Sequence, residues 1–185
     1  SSAGPDGGAG TAGREGRTFT FDCVFGGDAG QEEVFAKCAR PLVEGCLEGF
    51  NATVLAYGQT GSGKTHTMLN AAQALEEEAG VTPRVLRLLY EGIQERRKEA
   101  RFRVRCQFLE IYNEEVKDLL HPETPAKAIA IREGPGGRIV VTGAKEKDVG
   151  SYEEAMRFLD VGSVSRTTGS TLMNQTSSHS HAIFT

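Results

Sequence analysis

Tyr57–Met68 reads YGQTGSGKTHTM, and within it Gly58 to Thr65 follow the spacing G-x-x-x-x-G-K-T. Glycine in such a turn lets successive backbone N–H groups point into one concavity, because it accepts positive φ and carries no Cβ to block an approaching phosphate. Gly58, Gln59, Thr60, Gly61, Ser62 and Gly63 therefore form a candidate phosphate-binding loop. Lys64 supplies a compact positive charge for the β- and γ-phosphates, and the Thr65 hydroxyl is placed to ligate the magnesium that bridges them. A helix beginning near Gly63 adds its positive N-terminal end. Upstream, residues 51–57, NATVLAY, form a short apolar run of the kind expected from a buried strand feeding a phosphate loop. A chance match competes with this reading in a chain holding 23 glycines. The order of apolar run, glycine turn and helix argues against chance.

The 185 residues suffice for one domain with a core, and 38% hydrophobic with 25% charged residues is the balance of an ordinary soluble protein. A net charge of −4 gives no electrostatic argument for nucleic acid or for a bare anionic membrane. No apolar stretch approaches the length of a membrane span and no hydrophobic signal segment opens the chain, so the expected address is cytosolic. Cys23, Cys38, Cys46 and Cys106 form no C-x-x-C pair and sit inside apolar patterns. They read as small buried hydrophobes of a reducing compartment, not as metal ligands.

Residues 1–16, SSAGPDGGAGTAGREG, carry six glycines and no large apolar side chain, which predicts a disordered tail. Phe19, Phe21 and Cys23 alternate with polar residues and predict a strand ending at Gly26-Gly27. Apolar positions from Gln31 to Glu48 recur at helical spacing, with Pro41 expected to bend the helix. Thr82-Pro83 predicts a helix start followed by a stripe of Val85, Leu86, Leu89 and Ile93. Phe102, Val104, Cys106 and Phe108 alternate with Arg103, Arg105 and Gln107, a strand whose arginines read as a solvated face. A turn at 134–137 precedes a strand at Ile139–Thr142, and the capping box of Ser151 and Glu154 predicts a helix over 152–165. Ala182, Ile183 and Phe184 predict a last strand. This alternation of strands and helices around a phosphate loop predicts an α/β sandwich with a central sheet.

After the last helix comes TTGSTLMNQTSSHSH at 167–181, rich in hydroxyls and poor in apolar residues. It reads either as a surface loop or as a mobile loop whose serines reach the γ-phosphate and magnesium.

FNATVLAYGQTGSGKTHTM at 50–68, FLEIYNEEVKDLL at 108–120 and NQTSSHSHAIFT at 174–185, in this order, resemble the motor domain of a kinesin. The resemblance runs from about Arg17 to Thr185, and GSVSRTTGSTLMNQTSS at 162–178 is most similar to the kinesin-four, chromokinesin-like branch. It implies a P-loop NTPase three-layer α/β sandwich with a mostly parallel central sheet, and a motor domain present from the phosphate loop through switch I. It also implies an ATP hydrolase that moves along microtubules, with ATP and Mg2+ bound by Gly58–Thr65, and His66 flanking the adenine ring. Asn174, Ser177 and Ser178 match the switch I pattern N-x-x-S-S-R-S-H. By that match Ser178 ligates magnesium beside Thr65, and Ser177 lies near the γ-phosphate and the attacking water. The implied partner is tubulin in microtubules, with a homodimer joined through a coiled coil outside these residues, and the implied place is the cytoplasmic cytoskeleton. Neither nucleic acid nor membrane is part of that expectation.

The sequence departs from the family at three places. His179 stands where the pattern has arginine, the expected partner of a switch II glutamate. The first strand with its R-x-R-P end is replaced by the glycine-rich tail, and switch II, D-L-A-G-S-E, is absent. A motor domain truncated at both ends is the expectation, with a nucleotide-binding but non-motile kinesin-like module as the alternative.

Overall fold

The computed structural model describes residues 18–70, 76–171 and 180–185. Among them helices and strands are mixed, as an α/β reading requires. Helix α1 spans Gln31–Cys38 and α2 spans Arg40–Leu47. The predicted bent helix is thus two helices, broken at the fully buried Ala39. Pro41 lies in the first turn of α2, where a missing N–H costs no helical hydrogen bond.

Helix α3, Lys64–Leu69, starts directly after the glycine turn, and α4 spans Val81–Arg96. Gly80, in extended conformation, precedes α4, so the helix begins one residue before the predicted Thr82 cap and Pro83 falls within its first turn. The Gly80 N–H donates to the Asn70 carbonyl at 2.7 Å, and a Cβ on Gly80 would lie 2.8 Å from the Met68 backbone. Glycine there lets the start of α4 press against the end of α3. Helix α5, Tyr152–Thr171, runs six residues past the predicted end. Its start is fixed reciprocally: Ser151 Oγ accepts the Glu154 N–H at 3.2 Å, and the Glu154 carboxylate accepts the Gly150 N–H at 2.7 Å.

The strands are β1 (Val104–Cys106), β2 (Phe108–Tyr112), β3 (Glu115–Asp118), β4 (Ala130–Glu133), β5 (Ile139–Thr142), β6 (Lys147–Val149) and β7 (His181–Phe184). They form a three-stranded sheet in the order β3-β2-β7 and two pairs, β1-β6 and β4-β5. These ladders, the ones among the described residues, are antiparallel. Asn113 and Glu114 join β2 to β3 with φ of 50° and 65°, the two-residue turn whose twist matches a hairpin. The core sits where α4 and α5 cover β2, through Leu86, Tyr90, Phe108 and Leu159. Phe108 and Phe184 meet edge to face with ring centroids 5.4 Å apart.

The structure corrects several expectations. The single strand predicted over 102–108 is interrupted at Gln107, which exchanges two backbone hydrogen bonds of 2.9 Å with Thr185. Residues 18–23 form no strand, and Phe19 is 71% exposed. Residues 51–57 also lie outside any ladder, and Leu55 is 83% exposed. Both segments have the composition of strands, but no neighbouring strand among the described residues satisfies their backbone groups, and a strand is a property of a pair. Of the four cysteines only Cys106 is buried; Cys23, Cys38 and Cys46 are exposed. Sequence patterns place a residue on a face, and packing decides whether that face is covered. Among the described residues no helix is long and apolar enough to cross a membrane, and no cluster of three or more His, Cys, Asp or Glu could hold a metal ion.

Candidate phosphate-binding site

The loop from Gly58 to Gly63 is drawn tight by two kinds of contact. The Ser62 N–H donates to the Gln59 carbonyl at 3.2 Å, closing a turn around Thr60 and Gly61. Lys64 Nζ donates to the carbonyls of Gly58 and Gln59, both at 2.7 Å. Gly61 and Gly63 take φ of 80° and 87°, the left-handed region that glycine enters without penalty. A Cβ at either would meet nothing within 4 Å, so open space surrounds them. Gly58 serves differently: a Cβ there would stand 2.5 Å from Ser62 Oγ. Its bareness lets the two ends of the loop approach each other.

Gly63 is the N-cap of α3 and has no side chain to satisfy the first N–H groups of that helix. An anion in the loop would meet these donors together with the Lys64 ammonium. The donor set is therefore suited to phosphate: backbone N–H groups, one flexible cation, and the Thr65 hydroxyl on the exposed first turn. These residues fit the phosphate groups of a nucleotide.

His66 faces back toward α1. Gln31 Nε2 donates to the His66 carbonyl at 2.9 Å and lies 3.2 Å from His66 Nδ1, while His66 Nε2 lies 3.9 Å from a Glu78 carboxylate oxygen. The ring thus has two neighbours that sequence spacing did not indicate. Asn174, Ser177 and Ser178, and with them His179, lie outside the described residues.

A cavity of about 410 Å³ separates α3 from α5, with Thr65, His66 and Leu69 on one wall and Ser163, Arg166 and Thr167 on the other. Behind Arg166 stands Glu110 of β2, a carboxylate in a residue only 7% exposed. Arg166 Nε lies 3.4 Å from Glu110 Oε1, and Ser180 Oγ donates to that same oxygen at 2.7 Å. Arg166 Nη2 also donates to the Ser180 carbonyl at 3.3 Å and its Oγ at 3.1 Å. Sequence reading passed over all three residues. A signal existed at Glu110, since an acid inside the apolar run Phe108–Ile111 needs a partner.

Other charged contacts are structural. Asp118, 2% exposed, accepts the N–H groups of Leu120, His121 and Lys145 at 3.0, 3.1 and 2.9 Å and ties the end of β3 to the approach of β6. Arg103, just before β1, pairs with Asp148 of β6, and Arg105 of β1 pairs with Glu146, just before β6.

The kinesin motor domain family model matches residues 6–185. Mouse (Mus musculus) kinesin-like protein KIF27 is 46% identical over 171 residues, covering 91% of this chain and 12% of that protein. Human (Homo sapiens) chromosome-associated kinesin KIF4B is 46% identical over 172 residues, covering 91% of this chain and 14% of that protein. A solved structure described as "Structure of a fast kinesin: Implications for ATPase mechanism and interactions with microtubules" superposes with a TM-score of 0.82 at 36% identity, over 90% of this chain and 46% of that one. The chain therefore spans about an eighth of these curated relatives and under half of the solved motor.

Proposed function

The chain belongs to the kinesin motor domain family, and from that premise we propose that it forms the nucleotide-holding part of a microtubule-dependent ATP hydrolase. Its fold is the family's P-loop NTPase fold. The observation that carries the proposal is the loop geometry: Gly61 and Gly63 at positive φ, and Lys64 reaching across to the Gly58 and Gln59 carbonyls at the start of α3. In this reading the backbone N–H groups of 58–63 hold the phosphates and Lys64 turns from the carbonyls to the β- and γ-oxygens. His66 sits beside the base. Thr65 and Ser178 would hold magnesium, which when bound would supply charge neutralisation at the phosphates. Asn174 and Ser177 orient the γ-phosphate and the attacking water. No side chain forms a covalent intermediate; the work is positioning and charge stabilisation.

The partner in this reading is the microtubule, and the place is the cytoplasmic cytoskeleton. A second copy joined through a coiled coil elsewhere in the polypeptide completes the motor. The test is phosphate release from magnesium-ATP by the full-length protein, with and without microtubules. Turnover stimulated by microtubules and abolished by Lys64→Ala supports the reading. Nucleotide bound without turnover assigns the chain instead to a non-motile nucleotide-binding module, and nucleotide affinity unaffected by Lys64→Ala overturns both.

A further inference from the structure

Gln31 opens α1, and its side chain reaches across to α3. Its Nε2 donates to the His66 carbonyl at 2.9 Å and lies 3.2 Å from His66 Nδ1. A carbonyl oxygen can only accept, so the first contact fixes the amide with its nitrogen toward α3. That nitrogen carries two N–H groups, and the second is satisfied at Nδ1 when Nδ1 holds a lone pair. The imidazole proton then sits on Nε2, which lies 3.9 Å from a Glu78 carboxylate oxygen. Both nitrogens of the ring thus have a neighbour, while the side chain stays 60% exposed and leaves a face open to a ligand.

The surroundings hold this arrangement in place. Phe35 and Ala39 of α1 pack with Val81 of α4, and Met68 of α3 lies against them. Glu32, next to Gln31, pairs with Arg84 of α4, and Asn70 Nδ2 donates to the Glu78 carbonyl at 2.8 Å. The His66 carbonyl is one of the last four of α3, which have no partner inside the helix, so the first Gln31 bond is an ordinary cap. Capping does not account for the second N–H on the ring.

We propose that Gln31 is a positioning residue: by engaging the His66 carbonyl and Nδ1 together it fixes the tautomer and the plane of the His66 ring, and through the ring it strengthens the hold on the base of a nucleotide. This rests on the reading above that sets His66 beside the base, and it adds the residue that orients the ring. The effect is confined to the base. The phosphates meet Lys64 and the loop backbone, whereas the hydrogen bonds of Gln31 among the described residues go to His66.

The experiment compares two magnesium-dependent ligands by calorimetry on nucleotide-depleted full-length protein: ADP, and inorganic pyrophosphate, which has no base. Gln31→Met keeps the volume of the side chain and removes its donors. It is expected to raise the Kd for ADP about fivefold and to leave that for pyrophosphate within about twofold. In a His66→Ala background Gln31→Met is expected to add no further loss, because it acts through the ring. Thermal melts identify variants that fail to fold. Gln31→Glu, nearly isosteric but without N–H donors, supplies the reading if Gln31→Met does not fold, and the Kd for ADP is again expected to rise relative to that for pyrophosphate. Equal weakening of the two ligands, or additive losses from Gln31→Met and His66→Ala, overturns the proposal. His66→Ala separates the two levels. If it leaves the ratio of the two affinities unchanged, the base-side reading fails and this inference with it; if it weakens ADP alone while Gln31→Met and Gln31→Glu are silent, only this inference fails.

Discussion

Lys64 Nζ donates to the Gly58 carbonyl at 2.7 Å across six residues of chain, so the last charged residue of the loop closes back on its first glycine. The same ammonium is the only formal charge within Gly58–Thr65. Lys64→Ala is therefore expected to remove ATP turnover in the full-length protein, by a factor of at least about 10³, the scale on which charge stabilisation acts in phosphoryl transfer. Steady-state phosphate release measures it, and normal turnover excludes the assigned role.

Gly58→Ala tests the closeness of the loop ends. The new Cβ would stand 2.5 Å from Ser62 Oγ, and the loop must open to admit it. Weaker nucleotide binding with little change in thermal stability is expected, because the loop is largely exposed and contributes little to the core. Titration with fluorescent ADP beside a thermal melt reports the two effects separately.

Gly162→Ala tests the core. In a helix interior alanine is ordinarily favoured over glycine by about 1 kcal/mol, yet here its Cβ would enter the Phe108 ring that packs against Phe184. Overpacking is expected to win and destabilise the fold by about 1–3 kcal/mol. Chemical denaturation decides the sign, and a more stable variant refutes the close approach of α5 to β2.

Thiol chemistry follows burial. Desolvation is the largest cause pushing the Cys106 thiol up to about 11, followed by the nearby Glu154 carboxylate. Cys23, Cys38 and Cys46 are exposed. Labelling the native protein with a maleimide near pH 8 is expected to modify those three and spare Cys106 until denaturant is added. Mass spectrometry of the labelled peptides would show the contrary as early modification at Cys106.

Glu123 links the connection after β3 to the approach of β6. Its carboxylate accepts its own backbone N–H, then hydrogen bonds from His121 and Lys145, and these hold its pKa down to about 2 from 4.5. Because the folded value is depressed, the contribution to stability is present above pH 4.5 and is lost as pH falls toward 2. Lys145→Ala should raise the Glu123 midpoint, read by carboxyl NMR titration. An unchanged midpoint assigns the shift to the other two bonds.

Much of the site was legible along the chain because its parts are consecutive. A phosphate loop needs glycines at set places, a lysine and a hydroxyl directly after them, and a helix that begins there; each demand falls on neighbouring residues and leaves its mark at short range. The helices were equally plain from their 3.6-residue spacing and the Ser151–Glu154 cap. What pairing decides was not legible. Residues 18–23 and 51–57 carry strand composition without a ladder, while β3, β4 and β6, none of them anticipated, form because a partner lies beside them. Burial followed the same rule, sparing one cysteine of four from solvent. The Glu110–Arg166 pair joins residues 56 apart, and its link to Ser180 spans 14 and 70. Such a cluster has no spacing to read: only the packing of α5 on β2 brings the charges within reach and removes the water that would otherwise have screened them.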